Sequence, residues 1–125
     1  MIPKETTAIN ALRPIMADVV DKVHAFSYRV PTGIVASADL TLKLKNNPGL
    51  DAIVRSLETY ADNSPYVSVN YESLTAIDYL ATPWSAVIDM QWTALCGDMV
   101  KVVLWYDNEW GYSNRVVDVV RHVAA

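Results

Sequence analysis

The sequence predicts an α+β fold: a mostly antiparallel sheet with helices packed on one face. Three observations carry that prediction. Ile34 to Lys45 alternates apolar and polar side chains with the period of a strand. Met99 to Trp105 is nearly continuous apolar sequence, as a strand in the middle of a sheet requires. Between and after them, Leu50, Ile53, Val54, Leu57 and Ala61, and then Val116, Val120 and Val123, recur at helical spacing.

Composition narrows the function classes. The 125 residues are 52% hydrophobic and 19% charged, which suits one globular domain able to bury a core. A net charge of −4 argues against a nucleic-acid partner. No apolar run reaches membrane-span length, and no basic segment followed by an apolar core follows Met1, so neither a membrane partner nor a signal peptide is expected. The single cysteine, Cys96, forbids an internal disulfide and fits a reducing, cytoplasmic setting. No titratable neighbour in the sequence activates it, so it reads as an incidental thiol. His24 and His122 lie far apart without Cys or His at ligand spacing, so no metal site is expected.

Met1 to Glu5 is read as a short extended lead. A helix capped by Thr6 or Thr7 follows, with Ala8, Ala11, Leu12, Ile15 and Met16 on one stripe and Pro14 tightening or ending its last turn. Free N–H groups and a hydroxyl at such a helix start can hold an anion, although plain capping uses Thr in the same way. Lys22 to Val30 reads as a strand, with Arg29 near its end. A fixed guanidinium there can grip a phosphate through two parallel hydrogen bonds, or simply form a surface ion pair. Pro31-Thr32-Gly33 is the turn expected to set the strand from Ile34 antiparallel to it.

Asn47-Pro48 is expected to open the next helix, with Asn as N-cap and Pro at the first position, and Asp62-Asn63-Ser64-Pro65 to end it. Short strands are expected over Tyr66 to Tyr71, Leu74 to Tyr79 and Trp84 to Met90, the last continued by Gln91 to Leu95. Gly97-Asp98 marks a hairpin turn into the final strand. The last helix is read over roughly Ser113 to His122.

Between the last strand and that helix lies Trp105-Tyr106-Asp107-Asn108-Glu109-Trp110-Gly111-Tyr112-Ser113-Asn114-Arg115. Rigid aromatics and amide donors at a strand-to-helix corner suit a ligand, and also suit a packed corner with a helix cap. This stretch, with Val116-Val117-Asp118, resembles the C-terminal signature of the phosphorylating glyceraldehyde-3-phosphate dehydrogenases. Tyr28-Arg29-Val30-Pro31-Thr32, with Ala38-Asp39-Leu40-Thr41 after it, is similar to the family's F-R-V-P-T and V-D-L-T segments. Ile2-Pro3 with Thr6 forms a third match in the same order. The resemblance covers nearly the whole chain, with small deletions around Ser73 and Gly97.

The resemblance implies NAD as cofactor, with a small phosphorylated aldehyde and inorganic phosphate as partners. It assigns Arg29 to the substrate phosphate, Thr6 to inorganic phosphate, Asn108 to the nicotinamide carboxamide and Tyr112 to the nicotinamide pocket. Thr7 stands where the family has Gly, placing a side chain beside that phosphate. No G-x-G-x-x-G motif follows a strand, no S-C-T-T-N-like segment is present, and no histidine stands ready as base. The expected role is therefore a partial catalytic domain spanning residues 1–125, inactive alone, in a homo-oligomer or with a partner chain carrying the nucleotide domain. Without such a partner, the valine stripe and the Trp110 and Tyr112 region are expected to be exposed and to drive self-association or repacking of the last helix. Alternatives are the related erythrose-4-phosphate dehydrogenase, or a non-catalytic oligomerisation or binding module reusing the fold.

Overall fold

The computed structural model describes residues 1–125. They form two compact units, Met1–Gly33 and Ile34–Ala125.

In the first unit, β1 (Ile2–Glu5) pairs antiparallel with β2 (Phe26–Arg29). The lead is thus a strand, and the strand expected over Lys22 to Val30 is confined to the four residues Phe26–Arg29. The expected helix through Met16 is two short ones, α1 (Ala8–Leu12) and α2 (Ala17–Val20). Pro14 explains the break, because it has no N–H and its ring blocks a continuing turn. The N–H groups of Ile15 and Met16 instead both donate to the Leu12 carbonyl, at 3.0 and 2.7 Å. Val20 is the only buried apolar side chain of this unit.

The second unit contains β3 (Val35–Lys43), α3 (Leu50–Asp62), β4 (Val67–Asn70), β5 (Ala86–Cys96), β6 (Met99–Asp107) and α4 (Asn108–Ala124). The sheet order is β3-β6-β5-β4, with β4 and β5 parallel and the other pairs antiparallel. The hairpin expected at Pro31-Thr32-Gly33 is absent, since β2 pairs with β1 and β3 with β6. The expected two-residue turn at Gly97-Asp98 does form, and Gly97 adopts φ +61° there.

Side-chain alternation divides the sheet into two packed faces. Ile88, Met90, Val100 and Val102 are buried on one, against Ile53, Val54 and Leu57 of α3. Val35, Val87 and Tyr79 are buried on the other, with Trp84 and Trp105. No strand forms over Leu74 to Tyr79. Ala76–Tyr79 is a 3-10 turn, because Asp78 accepts both the backbone N–H and the hydroxyl of Thr75 and curls the chain. Its Tyr79 ring stacks on Trp105, 5.3 Å between centroids and 9° from parallel.

Two helix starts differ from expectation. α3 begins at Leu50 behind Gly49, which adopts φ +85°. Asn47 turns the chain instead of capping the helix: its Oδ1 accepts from the Gly49 N–H, and its amide donates to the Gly97 carbonyl at the β5–β6 hairpin. α4 begins at Asn108, five residues before the expected Ser113, so the aromatic corner is itself helical. No helix is long and apolar enough to cross a membrane.

Candidate functional site

The corner between β6 and α4 is set by Asp107, which is 3% exposed. Its Oδ1 accepts from the N–H groups of Glu109 and Trp110 at 3.0 and 2.8 Å, capping α4. Its Oδ2 accepts the Ala81 N–H at 2.9 Å. Ala81 delivers that N–H from the left-handed region, at φ +59°, where a residue with a Cβ is strained. The backbone donors, Trp110 first and then Ala81, hold the Asp107 carboxyl below the ordinary carboxylate range.

Gly111 brings the first turns of α4 against the chain at Trp84. A Cβ built on it would lie 2.9 Å from the Trp84 carbonyl oxygen. Arg115, one turn further, fastens the helix to the same segment. Its Nη1 donates to the Pro83 carbonyl at 3.3 Å and to Ser85 Oγ at 3.1 Å. Nε and Nη2 both reach Asp118 Oδ2, and the guanidinium lies 4.6 Å from the Tyr66 ring centre. Most of the Arg115 donors are thus taken up by structural contacts.

These contacts leave an open recess of about 250 Å³ lined by Ser85, Tyr106, Asn108, Gly111, Tyr112 and Arg115. The fold therefore brings Asn108 and Tyr112 to one recess. The Asn108 amide supplies donors and an acceptor on its wall, and the Tyr112 ring is 70% exposed.

Thr6 and Arg29 belong to the other unit. Thr6 Oγ1 accepts the Ala8 N–H at 3.2 Å. α1 has only five residues, so the expected dipole behind an anion there is small. Arg29 lies opposite Ile2, while Thr6 follows Glu5, the partner of Phe26, at the ribbon's other end. Their backbones are therefore separated by roughly 13 Å along the ribbon, and the ribbon alone does not bring them together.

Residues 1–108 match the model of the family described as glyceraldehyde 3-phosphate dehydrogenase, C-terminal domain. The chain belongs to this family. Thr6, Arg29 and Asn108 lie within the match, and Tyr112 follows it. Among curated relatives, glyceraldehyde-3-phosphate dehydrogenase 2 of Bacillus subtilis (strain 168) is 41% identical over 128 residues, covering 100% of this chain and 38% of the relative. Glyceraldehyde-3-phosphate dehydrogenase 2 of Staphylococcus aureus (strain MRSA252) is 37% identical over 126 residues, covering 100% of this chain and 37% of the relative. The chain spans a little over a third of the length of these relatives.

Within this glyceraldehyde 3-phosphate dehydrogenase C-terminal domain, the positioning residues were the least visible in the sequence. Asp107 and Gly111 lie in the signature stretch, but the Ala81 and Trp84 they meet are more than 20 residues away. Arg115 and Asp118 were detectable as an ion pair by their helical spacing. The Ser85 and Pro83 contacts of Arg115 had no sequence signal.

Proposed function

We propose that this chain supplies the nicotinamide-facing and phosphate-facing side chains of a phosphorylating, NAD-dependent glyceraldehyde-3-phosphate dehydrogenase. The observation supporting it is that Asn108 and Tyr112 line one recess at a corner locked by Asp107, Gly111 and Arg115. In this reading the Asn108 amide orients the nicotinamide carboxamide, and Tyr112 limits the ring's position from the side. Bound there, NAD supplies the hydride acceptor for aldehyde oxidation. Arg29 meets the substrate phosphate, and Thr6 serves inorganic phosphate with its hydroxyl.

The nucleophile and base of the reaction are not among the residues this chain brings together. Cys96 is exposed at the β5–β6 hairpin, and neither strand of that hairpin carries a histidine. The chain alone is proposed to bind without turning over. A second reading, a binding or assembly module reusing the fold, draws on the separation of Thr6 from Arg29 along the ribbon.

Calorimetric titration of the chain with NAD and with inorganic phosphate separates the two readings. Asn108→Ala is expected to weaken NAD binding by roughly fivefold, the value of one hydrogen bond of about 1 kcal/mol. Thr6→Ala and Arg29→Ala are each expected to weaken phosphate binding, one at each phosphate position, and to leave NAD binding unchanged. Wild-type chain that binds neither would favour the module.

A further inference from the structure

Residues Tyr79 to Ser85 meet the end of β6 and the start of α4 at a spacing that changes with the element. On β6 the partners are Trp105 and Asp107, which share one face of the strand. The Tyr79 ring stacks on Trp105, and the Ala81 N–H reaches Asp107 Oδ2 at 2.9 Å. On α4 the partners are Gly111 and Arg115, which follow Asp107 at the i, i+4 spacing of one helix face. Gly111 leaves room for the Trp84 carbonyl, and Arg115 Nη1 donates to Ser85 Oγ at 3.1 Å. One short segment therefore makes a continuous seam across the strand-to-helix junction.

The seam is anchored away from the recess. Tyr79 is 4% exposed and does not line the recess. Its hydroxyl accepts from Asn70 Nδ2 at 3.0 Å, and its carbonyl accepts the Thr82 N–H at 3.3 Å. The turn that presents it is closed by Thr75 and Asp78. Two residues on, Ala81 holds φ +59°, a conformation that persists only where its surroundings over-determine it. The anchored Tyr79 on one side and the Asp107 carboxylate on the other are those surroundings.

We propose that Tyr79 is a positioning residue for Asn108. Acting through Ala81 and Asp107, it fixes the angle at which α4 leaves β6, and with it the place of the Asn108 amide on the recess wall. Asn108 is the first residue of α4, directly after Asp107, so a shift of the cap displaces it. The Asp107 carboxylate is the link, because one oxygen caps α4 and the other holds Ala81. Every member of this path is supplied by the second unit itself.

NMR of the ligand-free chain tests the proposal through the Asn108 side-chain amide resonances. Tyr79→Ala removes the stack and is expected to move and broaden them. Tyr79→Phe keeps a ring on Trp105 and is expected to leave them at their wild-type positions. Asp107→Asn keeps an oxygen for the cap but turns an amide nitrogen toward the Ala81 N–H. It is expected to displace the Asn108 amide as well, and it decides should Tyr79→Ala fail to fold. Ile53→Ala, on α3 against the other face of the sheet, is expected to lower the melting temperature without moving the Asn108 amide. Calorimetry adds an arm that rests on the nicotinamide reading. Tyr79→Ala is expected to weaken NAD binding by roughly two- to fivefold, and to cost nothing further in an Asn108→Ala background, since its effect runs through Asn108. A wild-type chain that binds no NAD would remove the nicotinamide reading and leave the resonances to decide. An Asn108 amide unmoved by Tyr79→Ala and Asp107→Asn, or moved equally by Ile53→Ala, would overturn the proposal. Losses of NAD affinity from Tyr79→Ala and Asn108→Ala that simply add would overturn it too.

Discussion

Trp105 Nε1 donates to Asp89 Oδ2 at 2.9 Å, and this bond joins a buried carboxylate to the aromatic stack that covers one face of the sheet. Asp89 is 2% exposed and has no cation beside it. The indole N–H and the Gln91 N–H, at 3.2 Å, are its donors. A buried carboxylate is tolerated when such donors replace water.

Trp105→Phe retains a ring to stack on Tyr79 and deletes the donor. The variant is expected to lose about 1–3 kcal/mol of stability through the unsatisfied Asp89 oxygen. Urea denaturation at neutral pH measures this. A loss no larger than that of Trp105→Phe in an Asp89→Asn background would show that the bond contributes little.

Tyr79 reports on the same cluster at alkaline pH. Burial, and secondarily the Asp89 charge, raise its hydroxyl above the usual tyrosine range, against the smaller effect of the Asn70 amide donating to it. The unfolded chain therefore ionises first. Its contribution to stability is complete below about pH 10 and is lost as pH rises toward the raised folded value. Thermal melts of wild type and Tyr79→Phe should diverge above pH 10, with the wild type falling faster.

Asp107 behaves in the opposite sense. Its depressed folded value means that its contribution is present above about pH 4 and is lost as pH falls through the folded value. Asp107→Ala is expected to lower the melting temperature at pH 7. Asp107→Asn is expected to do so by less, since its amide oxygen still caps α4. Both variants should show a flatter acid limb than wild type; parallel acid limbs would remove Asp107 as its cause.

Gly111→Ala improves helix propensity by about 1 kcal/mol but drives a methyl group into the Trp84 carbonyl. Overpacking against backbone costs about 1–3 kcal/mol, so net destabilisation is expected. NMR shifts of Asn108 and Tyr112 should move with it, because α4 must withdraw from the recess wall. An Ala variant as stable as wild type would show that the corner yields freely.

Ala81→Gly relieves a strained φ of +59° at the residue that donates to Asp107. The relief, about 1–2 kcal/mol, is partly offset by glycine's entropy in the unfolded chain, about 0.5–1 kcal/mol. Stability equal to wild type or slightly above it is expected in chemical denaturation. Ala81→Val should be clearly destabilised.

Periodicity was legible wherever one element had one buried face. The stripe Ile53, Val54 and Leu57 meets the sheet as its spacing requires, and the apolar run at Val100 and Val102 is a central strand. It misled where a local hydrogen bond competed with the pattern. Leu74 to Tyr79 reads as a short strand, but Thr75 and Asp78 bond each other and close a turn. The aromatic corner was visible as a ligand-like composition. Its helical start was not, because the Asp107 cap is reinforced by a donor 26 residues away.

By itself the sequence determined the α+β class, the apolar faces, the Gly97-Asp98 turn and the family motifs, since these depend on residue type at fixed local spacing. Tertiary structure decided which strands pair, where α4 begins and which side chains share a recess. Those outcomes depend on contacts such as Ala81 with Asp107, Trp84 with Gly111 and Ser85 with Arg115. Each joins residues more than 20 positions apart, and no local pattern records which distant backbone group will satisfy a given side chain once it is removed from water.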